Sequence, residues 1–301
     1  MNLTWQTLKP SDLAVYQKYY SMVDSNITDL SFHCRFAWDN VFNIKWTILY
    51  DCLIQISDGG GYTYPFMLMP LGELSPEKLE DIVSAVKPVF DENGWTFRIR
   101  AIEESMKDLF DNLSLPHVMG YDADSSDYLY DAESLRTLAG KKYVKKRNHW
   151  NRFLRLYPDY SYESLSPAIF EECLNLAKTW VNSKEIDIND AEESDYYMIK
   201  RLFDNWENLS ARGGAIKISG RIAAFSVGSI GRDDIGFIHF EKADTSFDGI
   251  YAAINKLVLV NEFPNIRFIN REEDLGIPGL RKSKESYFPI TKVNKWKLRA
   301  E

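Results

Sequence analysis

Cysteine is scarce in this chain, and the few present stand apart. Cys34, Cys52 and Cys173 are odd in number, and no CxxC or CxxH pair occurs. That pattern excludes a disulfide framework or a thiolate metal finger and fits buried, reduced thiols. Histidine is equally thin. Four are scattered along the chain, with no metal-ligand cluster and no Ser-His-Asp or Cys-His spacing, so no metal is expected. No apolar run approaches the ~18 residues a bilayer span needs. The opening MNLTWQTLKPSDL lacks a basic segment followed by an apolar one, and a cytoplasmic protein is expected. Lys and Arg, 36 in all, are outnumbered by 44 Asp and Glu, for a net charge of −8. That balance speaks against a general nucleic-acid coat, though not against a local basic site.

One such site stands out. Between Lys141 and Arg155 there are seven Lys or Arg and no acid. At helical spacing Tyr143, Trp150, Leu154 and Tyr157 share a side, with Phe153 at its edge, while Lys145, His149, Arg152 and Arg155 share the other. The stretch reads as an amphipathic helix. Lys145, Arg152 and Arg155 form its candidate polyanion surface. Arg147 flanks the apolar side, and an inward base needs a carboxylate partner or an anionic ligand.

With 301 residues, the chain exceeds one typical core, and two domains are expected. Pro10-Ser11-Asp12 predicts a helix start, and Phe32 and Phe36 suit one helical face. Strands are predicted at Asn43–Tyr50, Cys52–Ser57 and Tyr62–Met69. Asp58-Gly59-Gly60-Gly61 is a hairpin turn, because it lacks the Lys-Ser/Thr and the helix of a phosphate loop. A helix from Pro76 to Gly94, a strand to Ile102 and a further helix follow. A short strand at DYLY and a helix ending at Gly140 precede the basic stretch. The second half repeats this order. A strand at Tyr160–Leu165 and two helices lead to strands at Gly214–Ser219, Arg221–Ile230 and Ile235–Lys242. The turns between them are Ser219-Gly220 and Gly231-Arg232-Asp233-Asp234. A helix at Gly249–Glu262, a strand at Ile266–Asn270, a helix begun by Pro278 and a closing strand at Val293–Leu298 complete it. The repeat is of elements, not of residues. The order is the acetyltransferase-like (GNAT) arrangement. It predicts an α+β fold of tandem GNAT-like units, each a mixed, mostly antiparallel sheet flanked by helices. The expected partition is 1–132, a connecting helix at 133–157, and 158–301.

Three phrases carry a family resemblance: GKKYVKKRNHWNRF (Gly140–Phe153), FEKAD (Phe240–Asp244) and FINREEDLGIPGLRKSKESYFP (Phe268–Pro289). They resemble the bacterial family grouped with the C-terminal domain of phosphatidylglycerol lysyltransferases. The resemblance implies the tandem GNAT-like fold and kinship with enzymes that take an aminoacyl group from a charged tRNA. Their lipid acceptor does not follow, since those enzymes often also hold membrane segments. A small molecule, a peptide or a lipid headgroup remain alternatives.

Three functions are open: an acyl- or aminoacyltransferase, a ligand-binding module without chemistry, and a CoA-dependent N-acetyltransferase. In acetyl-CoA enzymes of this fold, backbone N–H groups at a helix N-terminus cradle a pyrophosphate. Here that place reads KADTSFDGIYAAIN, where Gly249 is present but Tyr251 replaces a small residue. The donor could thus be acyl-CoA or aminoacyl-tRNA. Aminoacyl transfer needs an acidic pocket for the donor's ammonium and stabilisation of an oxyanion. Glu241, Glu272, Glu273 and Asp274 follow the two central strands of the second half. Glu272 and Glu273 also suit a solvated loop. Glu241 and Lys242 face opposite sides of a strand, and Glu241 is the better candidate for the cleft. Asn270, Arg271 and Asp274 are the other pocket candidates. Gly279, Arg281 and Lys284, around a helix start at Pro278, form a candidate anion site with Arg147. His239 reads as a structural strand histidine, and no catalytic residue is identified.

Overall fold

The structure, a computed structural model, describes residues 3–190, 194–231 and 234–301. Arg232 and Asp233 of the expected turn lie outside the described residues, as do 191–193 of the polar stretch before the second-half strands. Along the chain come β1 (Gln6–Thr7), α1 (Leu13–Tyr20), α2 (Phe32–Phe42), β2 (Lys45–Leu49), β3 (Cys52–Ser57) and β4 (Phe66–Leu68). Then follow α3 (Pro76–Glu92), β5 (Arg98–Glu103), α4 (Lys107–Asp111), β6 (His117–Tyr121), β7 (Asp127–Asp131), α5 (Ala132–Thr137) and α6 (Val144–Leu156). Next are β8 (Ser161–Ser164), α7 (Phe170–Ser183), α8 (Tyr196–Asp204), α9 (Trp206–Leu209), β9 (Arg212–Ile218), β10 (Arg221–Ile230) and β11 (Ile235–Ala243). The chain ends with α10 (Ile250–Asn261), β12 (Phe268–Asn270), α11 (Pro278–Glu285), β13 (Thr291–Val293) and β14 (Lys295–Ala300).

Local chemistry sets many of these bounds. Ser31 accepts the Cys34 N–H at the start of α2, and Ser75, ahead of Pro76, accepts the Lys78 N–H at the start of α3. Asp131 accepts the Ser134 N–H at 2.7 Å, so β7 passes directly into α5. These are N-caps that satisfy amides left free in the first turn. The glycine run after β3 makes the expected turn between antiparallel strands. A Cβ on Gly60 would lie 1.5 Å from the Val41 carbonyl oxygen, so no larger residue fits.

Two seven-stranded sheets result, ordered β1-β2-β3-β4-β5-β14-β6 and β13-β7-β12-β11-β10-β9-β8. Both are mixed and mostly antiparallel, with parallel pairing at β4–β5 and at β11–β12. The expected α+β class holds. The chain divides into two compact units, Met1–Asp127 with Val293–Glu301, and Tyr128–Lys292. These limits differ from the expected partition in two ways. Helices α5 and α6 belong to the second unit, because β7 already pairs with β12 (Ile269 opposite Tyr130) and Phe153 of α6 is buried in that unit's core. The closing strand belongs to the first unit. β14 inserts between β5 and β6, a strand that the sequence pattern did not reveal. Its Lys295, 2% exposed, is paired there with Asp29 and, at 2.6 Å, with Asp127. A buried ammonium needs such partners.

Candidate functional site

The second sheet splits at its parallel pair. β11 and β12 pair only from Ile235 to Phe237 and from Phe268 to Asn270. Beyond Asn270 the chain stays with β7, through Arg271 N–H to the Tyr128 carbonyl and Tyr128 N–H to the Glu272 carbonyl. β11 meanwhile continues to Ala243 against β10. The side chains that alternate along β11 past the split, His239 and Glu241, share one face.

Glu241 lies 12% exposed, and its Oε1 accepts from Arg271 Nη2 at 3.3 Å. Its Oε2 is buried and has no hydrogen-bond partner among the described residues. Directly opposite on β10, and so on the same face, Ser226 carries a second buried oxygen, Oγ, without a partner. Arg271, 14% exposed, also stacks over the Tyr287 ring at 5.0 Å. With the Asn255 amide turned so that its oxygen meets the guanidinium, Asn255 of α10 accepts from Nη1 at 2.9 Å and Nη2 at 3.1 Å. Burial opposes the Arg271 charge, but Glu241 beside it leaves the group a stronger base than usual. From α6, Lys146 reaches over the same Tyr287 ring, 3.7 Å from its centre. Its Nζ makes no hydrogen bond or ion pair among the described residues. Burial, followed by the Arg271 charge, lowers Lys146 to about 8, with Glu241 opposing. The place thus gathers an open carboxylate oxygen, an open hydroxyl, a fixed guanidinium and a half-buried ammonium.

Beside it stands a contact set that residue spacing did not show. His239 Nε2 lies 2.8 Å from Ser229 Oγ, and Nδ1 lies 3.0 Å from Glu272 Oε1. The three residues come from β10, β11 and the segment after β12, and only the register of the sheet joins them.

Other expected site residues make contacts within the protein. Lys242 points to the opposite face, paired with Asp195 at 2.8 Å and lying 3.6 Å over the Trp180 ring. Asp274 is 0% exposed and accepts two bonds from Arg281, both 2.9 Å, with further bonds from Gly276 N–H and the Tyr128 hydroxyl. Those bonds, the Arg281 bond foremost, hold its carboxyl well below the usual range. Asp274 and Arg281 therefore tie α11 to its own entry loop. Lys284 donates to the carbonyl oxygens of Arg271 and Glu272. Asn270 accepts the Glu272 N–H at 2.7 Å. Gly279 is exposed on the first turn of α11. Arg147 meets no carboxylate among the described residues. It donates to the carbonyls of Leu138 and Gly140, closing the end of α5. Lys145, Arg152 and Arg155 are exposed, with Arg152 paired to Asp248 at 2.6 Å.

The start of α10, where an acetyl-CoA pyrophosphate would sit, is already filled. A Cβ on Gly249 would fall 2.3 Å from the His149 carbonyl oxygen, so α6 lies directly against it. The N–H groups of Ser246, Phe247, Asp248 and Ile250 go to Asp244 Oδ1, the Asp244 carbonyl, the Tyr157 hydroxyl and the Phe247 carbonyl. These four amides are satisfied within the protein. Among the described residues no group of His, Cys, Asp or Glu could hold a metal ion, and no helix is long and apolar enough to cross a membrane.

Residues 24–299 match the family described as phosphatidylglycerol lysyltransferase, C-terminal. The chain belongs to this family. A conserved protein of unknown function from Bacteroides thetaiotaomicron is 30% identical, with both chains covered completely and a TM-score of 0.91. The L-PGS structure from Bacillus licheniformis shares the fold at 16% identity, covering 95% of this chain and 91% of that one, TM-score 0.67. A tandem GNAT protein of the clavulanic acid biosynthesis pathway does so at 9% identity, covering 100% and 99%, TM-score 0.54. An uncharacterised protein of Mycoplasmoides gallisepticum is 25% identical over 166 residues, 55% of this chain, and the match spans 53% of that relative's length. The phosphatidylglycerol lysyltransferase family and these GNAT-like neighbours are transferase-like as a group, and the fold expected from the element order is theirs.

Proposed function

We propose that the chain transfers an aminoacyl group from a charged tRNA to a nucleophilic acceptor, at the split between β11 and β12. One observation carries the reading: the buried Glu241 Oε2 lacks a partner and faces the equally unpartnered Ser226 Oγ. Buried polar groups are normally satisfied, and an orphaned carboxylate oxygen costs several kcal/mol unless a ligand meets it. The ammonium of an aminoacyl ester supplies both the charge and the donors. Arg271, fixed by Glu241 and Asn255, and Lys146 supply positive charge for the oxyanion that forms as the ester carbonyl is attacked. The ester is already activated, so positioning and charge stabilisation suffice.

The occupied amides at the start of α10 argue against acyl-CoA bound in the usual manner. The exposed bases of α6 suit the phosphates of tRNA instead. The test mixes the protein with tRNA charged with labelled amino acids and follows ester loss and tRNA affinity against salt. The expected result is ester loss, and a log-log salt slope that shrinks by about one for each of Lys145→Ala and Arg155→Ala. Intact esters together with stabilisation by CoA alone would contradict the proposal.

A further inference from the structure

We propose that Ser229, His239 and Glu272 form a proton relay whose partly exposed end, the Glu272 carboxylate, takes the proton of the attacking acceptor. The inference rests on the aminoacyl-transfer reading and names a catalytic carboxylate for it. The geometry supplies the argument. Ser229 is fully buried and the His239 ring nearly so, whereas the Glu272 side chain remains 23% exposed at the split. An ionised carboxylate only accepts hydrogen bonds, so His239 Nδ1 carries the hydrogen that meets Glu272 Oε1. Nε2 is then the acceptor for the Ser229 hydroxyl. That hydroxyl can turn to accept instead, so the arrangement tolerates either charge state of the ring. Stacking against Phe237, with ring centres 6.1 Å apart, fixes the ring's plane.

Glu272 is held with equal care. Its backbone is left-handed, with φ +59, an uncommon and strained state for a residue with a side chain. Bonds from its N–H to Asn270 Oδ1, and from Tyr128 N–H and Lys284 Nζ to its carbonyl, keep it there. Strained backbone that neighbours over-determine is a recurring property of reactive sites. Charged groups near the relay include Glu241 on the same strand, Arg271 and Glu273 on either side of Glu272 in sequence, and Lys284 of α11. In the step itself, the acceptor's oxygen or nitrogen bonds to the ester carbonyl carbon while its proton passes to the Glu272 carboxylate. The bond from that carbon to the ribose oxygen breaks, and Glu272 returns the proton to this oxygen. The carboxylate ends as it began. His239 and Ser229 act as positioning residues.

The test uses the full chain in excess over tRNA charged with labelled amino acids, following single-turnover ester loss with and without hydroxylamine. Glu272→Gln preserves shape and is the principal variant. It should slow ester loss in plain buffer by about 10²–10⁴-fold, the usual share of a general base. Hydroxylamine, which attacks without a base, should restore most of the rate. Ser229→Ala should keep charged-tRNA affinity and displace the pH of half-maximal rate. Nitrogen-15 spectra of the wild type, with His239→Gln for assignment, should find the His239 hydrogen on Nδ1. An active wild type with Glu272→Gln within twofold of it, or a hydrogen on Nε2 alone, overturns the relay and leaves the transfer reading standing. A wild type that leaves every charged tRNA intact overturns both.

Discussion

Asp274→Asn separates a structural carboxylate from a ligand-binding one. Asp274 is fully buried, and its two oxygens receive the Nε and Nη2 of Arg281, the Gly276 N–H and the Tyr128 hydroxyl. Asparagine keeps one acceptor oxygen and turns the other position into a donor facing the Arg281 Nε–H. One charge-assisted bond is lost outright, and the rest lose the charge. Arg281, 41% exposed, can recover some solvation, so the expected cost is about 2–4 kcal/mol rather than more. For a unit of this size that is a melting shift of roughly 6–12 °C. The carboxyl is held below its ordinary value when folded, with the Arg281 bond the largest cause. Its stabilisation is therefore present above the unfolded value of about 3.9 and fades as pH falls through the folded one. The gap between variant and wild type should accordingly close in acid. Differential scanning calorimetry from pH 7 down to about pH 2 reads the neutral-pH cost and the narrowing of the gap below about pH 4. A variant that melts with the wild type at pH 7 yet no longer binds charged tRNA would refute the assignment and return Asp274 to the ligand.

Three further outcomes are expected. Lys295→Met should destabilise the first unit by about 3–5 kcal/mol in urea titration, because Asp29 and Asp127 are left facing each other, and adding Asp127→Asn should recover part of the loss. Gly249→Ala should cost at least about 2 kcal/mol by thermal melting, from a left-handed backbone with φ +81 and a Cβ driven into the His149 carbonyl; a neutral result would mean that α6 does not lie against α10. Lys146 titrates near 8 when folded because of burial and then Arg271, against about 10.4 unfolded. The unfolded chain holds the extra proton between those values, so stability should rise with pH there, and Lys146→Met should flatten that rise in urea titrations at pH 7.5, 9 and 10.

What the sequence disclosed, and what it did not, follows from the range of the forces involved. Local signals were legible. Ser75-Pro76 and the glycine run after Ser57 act within a few residues, and the hairpins of β9 to β11 alternate clearly. Alternation also sufficed to separate Glu241 from Lys242, which occupy opposite faces. Partner choice at a distance was not legible. KWKLRA reads as a strand, but only the carboxylates of Asp29 and Asp127 explain why its Lys295 is buried in the first unit. Ser229, His239 and Glu272 are separated by ten and thirty-three residues, and the sheet register alone brings them together. Arg147 illustrates a different blind spot. The helical wheel placed it at the flank of the apolar side, but the carbonyls that receive it belong to backbone, which carries no residue signature.

The central claim is that Glu241 receives the ammonium of an aminoacyl group. The most direct test is a double cycle on affinity, comparing wild type with Glu241→Gln, and aminoacyl-tRNA with the same tRNA N-acetylated on its amino acid. Acetylation removes the charge and leaves the ester and the phosphates in place. The account predicts that acetylation weakens wild-type binding by about 2–5 kcal/mol, the range for truncating one partner of a buried charge pair, and that Glu241→Gln abolishes most of that difference. Equal binding of both tRNAs by the wild type, or an undiminished difference in Glu241→Gln, would contradict it.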